Sequence, residues 1–202
     1  MTTVTQKTSI IAISALFVTL GLPSAFASAG TVENTYWQQD PRMCYLSTEL
    51  DTLDFEGDTS NNSAAIEGEL DQSVSIYNTH MDDADLLADS GTCPQQSINV
   101  GKADLGWWGT IAATTLYAYS NDDTRALYAN IDFSSQQGFG DDSNTCNSGD
   151  IDIEWIMNHE LGHAVGLNHH WHFTPDSTMH NYCDGEYDTL QSVDQTALDI
   201  KY

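Results

Sequence analysis

The sequence predicts a single α+β domain: a twisted mixed sheet with a long helix, a second central helix and a short helix near the C-terminus. Three observations point there. The chain has 202 residues, enough for one domain of ordinary size and too few for two large ones. Apolar residues recur with a helical period across residues 63–81, and they alternate with a period of two across residues 127–133. With 40% apolar and 10% aromatic residues, the chain can bury an ordinary core despite its acidity.

In chain order, residues 1–29 are expected to be a secretory signal peptide. Met1 to Gln6 carry no acid, Lys7 adds one positive charge, and Ile10 to Leu22 form an apolar run too short to span a bilayer comfortably. Pro23 breaks the run, and Ala25-Phe26-Ala27 or Ala27-Ser28-Ala29 offers a small-residue cleavage site. No second apolar stretch follows, so the expected product, residues 30–202, is secreted, extracellular and free of the membrane; a monomer is expected.

Residues 42–47, 97–100 and 111–119 are β-rich. Between the first two, Ile66, Leu70, Val74, Tyr77 and Met81 form the stripe of an amphipathic helix. In residues 127–133, Leu127, Ala129, Ile131 and Phe133 alternate with Tyr128, Asn130 and Asp132, as in a half-buried strand. Residues 56–62 and 134–149 are loops by composition. Asp150 and Asp152 stand where acids favour the start of a helix. Ser192-Val193-Asp194-Gln195 has capping-box spacing ahead of the last helix.

The chain carries 30 acidic residues against 5 basic ones, a formal charge of −25, and loss of the leader removes Lys7 and makes it −26. Nucleic acid and anionic lipid, which need clustered Lys and Arg, are excluded as partners. A solvated surface adapted to salt accounts for the dispersed acids. Asp141, Asp142, Asp150 and Asp152 around a Gly-rich loop offer carboxylate oxygens that could hold calcium, although EF-hand spacing is absent.

The chemistry concentrates in His159-Glu160-Leu161-Gly162-His163-Ala164-Val165-Gly166-Leu167-Asn168-His169. Residues four apart share a helix face, so His159 and His163 can offer two imidazoles to one ion, with Glu160 beside them. Gly166 can end the helix and turn the chain so that His169 becomes a third ligand. Three neutral nitrogens leave the fourth position of a tetrahedral zinc open to water, as in a catalytic site. Glu160 is then placed to take that water's proton.

This string resembles the metzincin clan of zinc endopeptidases, most like small secreted matrixin-like microbial enzymes. Ser177-Thr178-Met179 resembles the clan's Met-turn, and the resemblance assigns Met179 the apolar base beneath the metal. It further implies an edge strand that aligns the substrate backbone, for which residues 111–119 are the candidate. His170 follows the third histidine and matches none of the common subfamily choices. Tyr182 stands three residues after Met179, not two, so packing is its expected role. His170, His172 and His180 are expected on the surface, and Trp107 and Trp108 over the core.

Cys44, Cys93, Cys146 and Cys183 all fall in the mature part, and an even count in an exported chain suggests two disulfides. Of three pairings, Cys44–Cys93 with Cys146–Cys183 is favoured, because the second bridge would close a loop around the zinc motif. The sequence therefore leads to a secreted zinc metalloendopeptidase acting on protein or peptide substrates. The alternative is a catalytically silent zinc protein that binds a surface partner, for which Glu160 would be unnecessary.

Overall fold

The computed structural model describes residues 4–6, 37–38, 40–55, 62–81, 86–87, 97–106, 110–119, 122–140, 151–169, 177–180 and 189–202. Its strands are β1 (Val4–Gln6), β2 (Arg42–Tyr45), β3 (Asp54–Phe55), β4 (Ser97–Ala103), β5 (Ala112–Tyr119), β6 (Asp122–Ser134), β7 (Gly138–Gly140) and β8 (Ile151–Asp152). The helices are α1 (Ser47–Leu50), α2 (Asn62–Asn78), α3 (Ile153–Ala164) and α4 (Ser192–Lys201). None of the described helices is long and apolar enough to cross a membrane.

Five strands form one mixed sheet in the order β1-β5-β6-β4-β2. β2, β4 and β6 pair in parallel, while β5 runs antiparallel to β6 and is paired on its other side by β1, at Tyr117 to Tyr119. From Ala112 to Leu116, β5 has β6 on one side and no strand on the other among the described residues. The expected edge strand is therefore open only over its first part. β1 itself lies within the segment expected to be the leader, and residues 7–36 lie outside the described residues.

The helical stripe on α2 is buried as its period requires: Ile66, Leu70, Val74, Tyr77 and, just past the helix, Met81 all enter the core. They meet α3, which also packs on β5 and β6, where Ala112, Leu116, Ile131 and Phe133 face inward. The α3 helix is enclosed: every residue but Glu154 is buried. That enclosure governs the site, because polar side chains on such a helix must find partners within the protein.

Two details depart from the sequence pattern. In β6, Ala129, Ile131 and Phe133 are buried as expected, but Leu127 is only half-buried and Ala126 faces in. The register explains this: Tyr117 pairs with Tyr128 and Ala118 with Ala126, so Leu127 is the extra residue of a bulge that reverses the alternation. Residues 134–149, read as loop, contain β7, which joins β3 and β8 in a small parallel sheet anchored by buried Phe139. A three-residue strand between glycines is too short to show a period. Cys44 on β2 is buried and disulfide-bonded. Cys93, Cys146 and Cys183, and with them both favoured pairings, lie outside the described residues.

Candidate metal centre

The α3 helix begins and ends by local rules that aim its side chains. Asp152 is its N-cap, with Oδ1 accepting the Trp155 backbone N–H at 2.9 Å. At the other end Gly166 adopts a left-handed φ of 88°. The Gly166 N–H then reaches the His163 carbonyl at 3.0 Å, and the Leu167 N–H reaches the Gly162 carbonyl at 2.7 Å. This pair of bonds is a Schellman turn, which requires a residue tolerant of positive φ at Gly166. The turn reverses the chain and brings His169 back over the helix.

Three more carbonyls at this end are capped by side chains from distant parts of the chain. Trp37 Nε1–H donates to the Ala164 carbonyl at 2.9 Å, Tyr202 Oη–H to Val165 at 3.1 Å and Lys201 Nζ to Gly166 at 3.4 Å. Helix-terminal carbonyls lack intrahelical partners, so these contacts hold the turn that delivers His169.

His159, His163 and His169 meet in one cluster, each offering a ring nitrogen within 4.8 Å of the others. The Nε2 of His159 lies 3.2 Å from that of His163 and 3.2 Å from that of His169. The outer nitrogens fix the tautomers. His159 Nδ1 faces the Thr178 carbonyl at 2.9 Å, and His163 Nδ1 faces the Leu167 carbonyl at 2.8 Å. A carbonyl only accepts, so each Nδ1 carries the proton and each Nε2 turns a lone pair inward.

Burial holds these rings neutral. It lowers the pKa of His159 to about 3 and, with His159 and His169 adding repulsion, puts that of His163 well below its ordinary value. His169, less enclosed, falls to about 4, again by burial first. Inward lone pairs 3.2 Å apart repel unless a cation lies between them. Zinc–nitrogen bonds of about 2.0–2.1 Å at a tetrahedral angle place two nitrogens about 3.3 Å apart, so this donor set fits zinc. The cluster has the capacity to hold a metal ion.

Glu160 is wholly buried, and burial raises its pKa to about 7 against a smaller opposing pull from Thr114. Thr114 Oγ1 lies 2.7 Å from Oε2 and 3.0 Å from the Glu160 carbonyl. Among the described residues, Oε1 is buried with no hydrogen-bond partner.

Met179 is buried under α3 in the turn from Ser177 to His180, closed by the His180 N–H on the Ser177 carbonyl at 3.2 Å. Its sulfur lies against Gly162, where a Cβ would collide with it and come within 2.8 Å of Tyr77 Oη. Asp194 of α4 fastens the same turn: Oδ1 accepts from Ser177 Oγ at 2.8 Å and Oδ2 from the Thr178 N–H at 2.6 Å. The capping-box reading of Ser192 to Gln195 is thereby corrected. Gln191 is the N-cap and makes no side-chain capping bond, and Asp194 turns inward instead.

His180, expected on the surface, is buried, and its ring disfavours a positive charge on His159 and His169. Thr114 stands in no motif, and neither the helical stripe nor the capping-box stretch shows that Tyr77 Oη donates to the Asn158 carbonyl at 2.5 Å or that Asp194 fastens a distant turn. The alternation of residues 111–119 does place Thr114 on the inner face, which is the one signal that could have found it. His170, His172, Tyr182, Trp107, Trp108, Asp141, Asp142 and Asp150 lie outside the described residues.

No family model matches the chain, and no curated protein matches it. Among solved structures it is similar to high choriolytic enzyme 1, a hatching-enzyme zinc-protease from the medaka fish Oryzias latipes. The two are 11% identical, with 90% of this chain and 98% of that chain covered and a TM-score of 0.44.

Proposed function

We propose that the chain is a secreted zinc-dependent metalloendopeptidase of the metzincin type, with His159, His163 and His169 as metal ligands and Glu160 as general base. The observation that carries this reading is the convergence of Nε2 lone pairs at zinc spacing, on a helix whose next side chain is a buried carboxyl with one bare oxygen. Zinc held by the three histidines would supply a Lewis acid that polarises water and the substrate carbonyl.

The chain's own groups do the rest. The carbonyls of Thr178 and Leu167 hold two of the imidazoles in the tautomer that presents Nε2. Glu160, with a pKa near neutrality, takes the proton of the attacking water at Oε1 and returns it to the leaving amine as the C–N bond breaks. No covalent bond to the protein forms. The open part of β5, from Ala112 to Leu116, offers backbone groups on which an extended peptide can lie, and β1 shows that the neighbouring part accepts an antiparallel strand. Met179 is the apolar support of the site, and residues 1–29 are the leader.

Metal analysis tests the ligand assignment: the purified mature protein should hold about one zinc, and His163→Ala should lose most of it. Full retention in that variant would overturn the assignment. The pairing of Cys44 with Cys93 and of Cys146 with Cys183 is tested by peptide mapping under non-reducing conditions, where a Cys44–Cys146 peptide would refute it.

A further inference from the structure

The two oxygens of Glu160 are not equivalent. Oε2 is bonded by the Thr114 hydroxyl at 2.7 Å, and Oε1, equally buried, has no hydrogen-bond partner among the described residues. Thr114 is itself buried, on the inner face of β5 between Ala112 and Leu116, and the ladder with β6 sets its height opposite Ile131. It therefore stands on a paired strand and not on a loop. Its β-branched side chain has a stiff χ1, so the hydroxyl is held where the backbone puts it.

We infer that Thr114 is a positioning residue that fixes the plane of the Glu160 carboxylate, holding Oε2 and so aiming Oε1, the oxygen left to take the proton. The inference rests on the reading of Glu160 as general base. A hydroxyl has one proton to give, and here it has two acceptors, the carboxylate and the Glu160 carbonyl at 3.0 Å. The ionised carboxylate is the stronger acceptor, so the proton goes to Oε2. The last torsion of a glutamate side chain is broad and roughly two-fold, so without this bond the plane of the carboxylate is free to turn. With it, the plane of the carboxylate is set before any substrate arrives, the kind of orientation that lowers a barrier without tightening binding.

The test compares Thr114→Val, Thr114→Ser and Glu160→Gln in the mature chain, loaded to equal zinc content and folded at the assay temperature. A labelled unfolded protein serves as substrate. Thr114→Val should lower kcat by about 10–100-fold with KM and zinc content unchanged, and Thr114→Ser should restore most of it. A second readout needs no metal or turnover. With glutamate labelled by carbon-13 at Cδ and Glu160 ionised, the resonance that disappears in Glu160→Gln should shift in Thr114→Val and return in Thr114→Ser. If Thr114→Val does not fold, Thr114→Ala against Thr114→Ser makes the same comparison. Full turnover with an unmoved resonance in Thr114→Val, or a serine variant as impaired as the valine one, overturns the inference while Glu160 keeps its role. Full turnover in Glu160→Gln overturns the general-base reading, and the inference falls with it.

Discussion

Asp194 on the last helix accepts the backbone N–H of Thr178 at 2.6 Å, and the carbonyl of that same residue receives Nδ1–H of His159 at 2.9 Å. One residue thus connects α4 to an imidazole of the cluster. Replacing Asp194 by Ala leaves the Ser177 hydroxyl and the Thr178 N–H buried without their acceptor, at roughly 1–3 kcal/mol for each unsatisfied group. Groups that orient metal-binding histidines are worth about 10–100-fold in metal affinity. The variant is expected to be less stable in denaturant titration and to lose zinc to a competing chelator in that range. Unchanged zinc affinity would show that the turn holds His159 without Asp194.

Two glycines in helices should respond in opposite directions to alanine. Gly162 of α3 faces Met179 and Tyr77 with no room for a Cβ, so Gly162→Ala overpacks the site and should cost about 1–3 kcal/mol. Gly68 of α2 is exposed with nothing within 4 Å of an added Cβ, so Gly68→Ala should gain about 0.5–1 kcal/mol from helix propensity. Thermal midpoints of the two variants check both signs together.

The zinc-free chain should lose stability on acidification. His159 and His169 have folded pKa values of about 3 and 4 against an ordinary 6.5, and His163 is also lowered. Between those values and 6.5 the unfolded chain binds protons that the folded chain does not, so stability falls as pH falls through that window. Glu160 acts in the other direction: with its pKa raised from 4.5 to about 7, its contribution declines as pH rises through that interval. Three imidazoles outweigh one carboxyl. Unfolding midpoints measured in about 1 M NaCl, where self-repulsion is screened, should drop from pH 6.5 to pH 4. A midpoint that holds or rises over that interval contradicts the burial of neutral histidines.

The charge predicts a salt response. A chain with a formal charge of −25 repels itself when compact, and the Debye length falls from about 10 Å at 0.1 M to about 3 Å at 1 M salt. At neutral pH the unfolding midpoint should therefore rise with NaCl. If micromolar to millimolar calcium gives the same rise and a chelator reverses it, specific sites are responsible. A flat response to both would remove the argument for a salt-adapted surface.

What the sequence revealed best were features with a period or a fixed spacing. The stripe from Ile66 to Met81, the helix start at Asp152 and the turn at Gly166 follow from local rules, and the structure has each of them. The three histidines converge because helix spacing fixes two and the glycine turn directs the third. Features made by tertiary contact were not legible. Asp194 falls inside the capping-box spacing of Ser192 to Gln195, and nothing local shows that its carboxylate binds Ser177 and Thr178, which are distant in sequence. Leu127 looks like a core residue until pairing with β5 places the bulge there. Thr114 is one threonine in a strand until α3 packs on that strand.

Turnover of Glu160→Ala at equal zinc content is the most direct measurement. The site joins a histidine cluster that can hold an ion to a buried carboxyl with one oxygen unpartnered among the described residues, and the proposed hydrolysis requires both. The variant should keep its fold and its zinc, because Glu160 is not a ligand in this account. Its cleavage of an unfolded protein should fall by about 10²–10⁴-fold, the usual worth of a general base. Near-normal cleavage at full zinc content would contradict the account, since the proton would then be taken by another group.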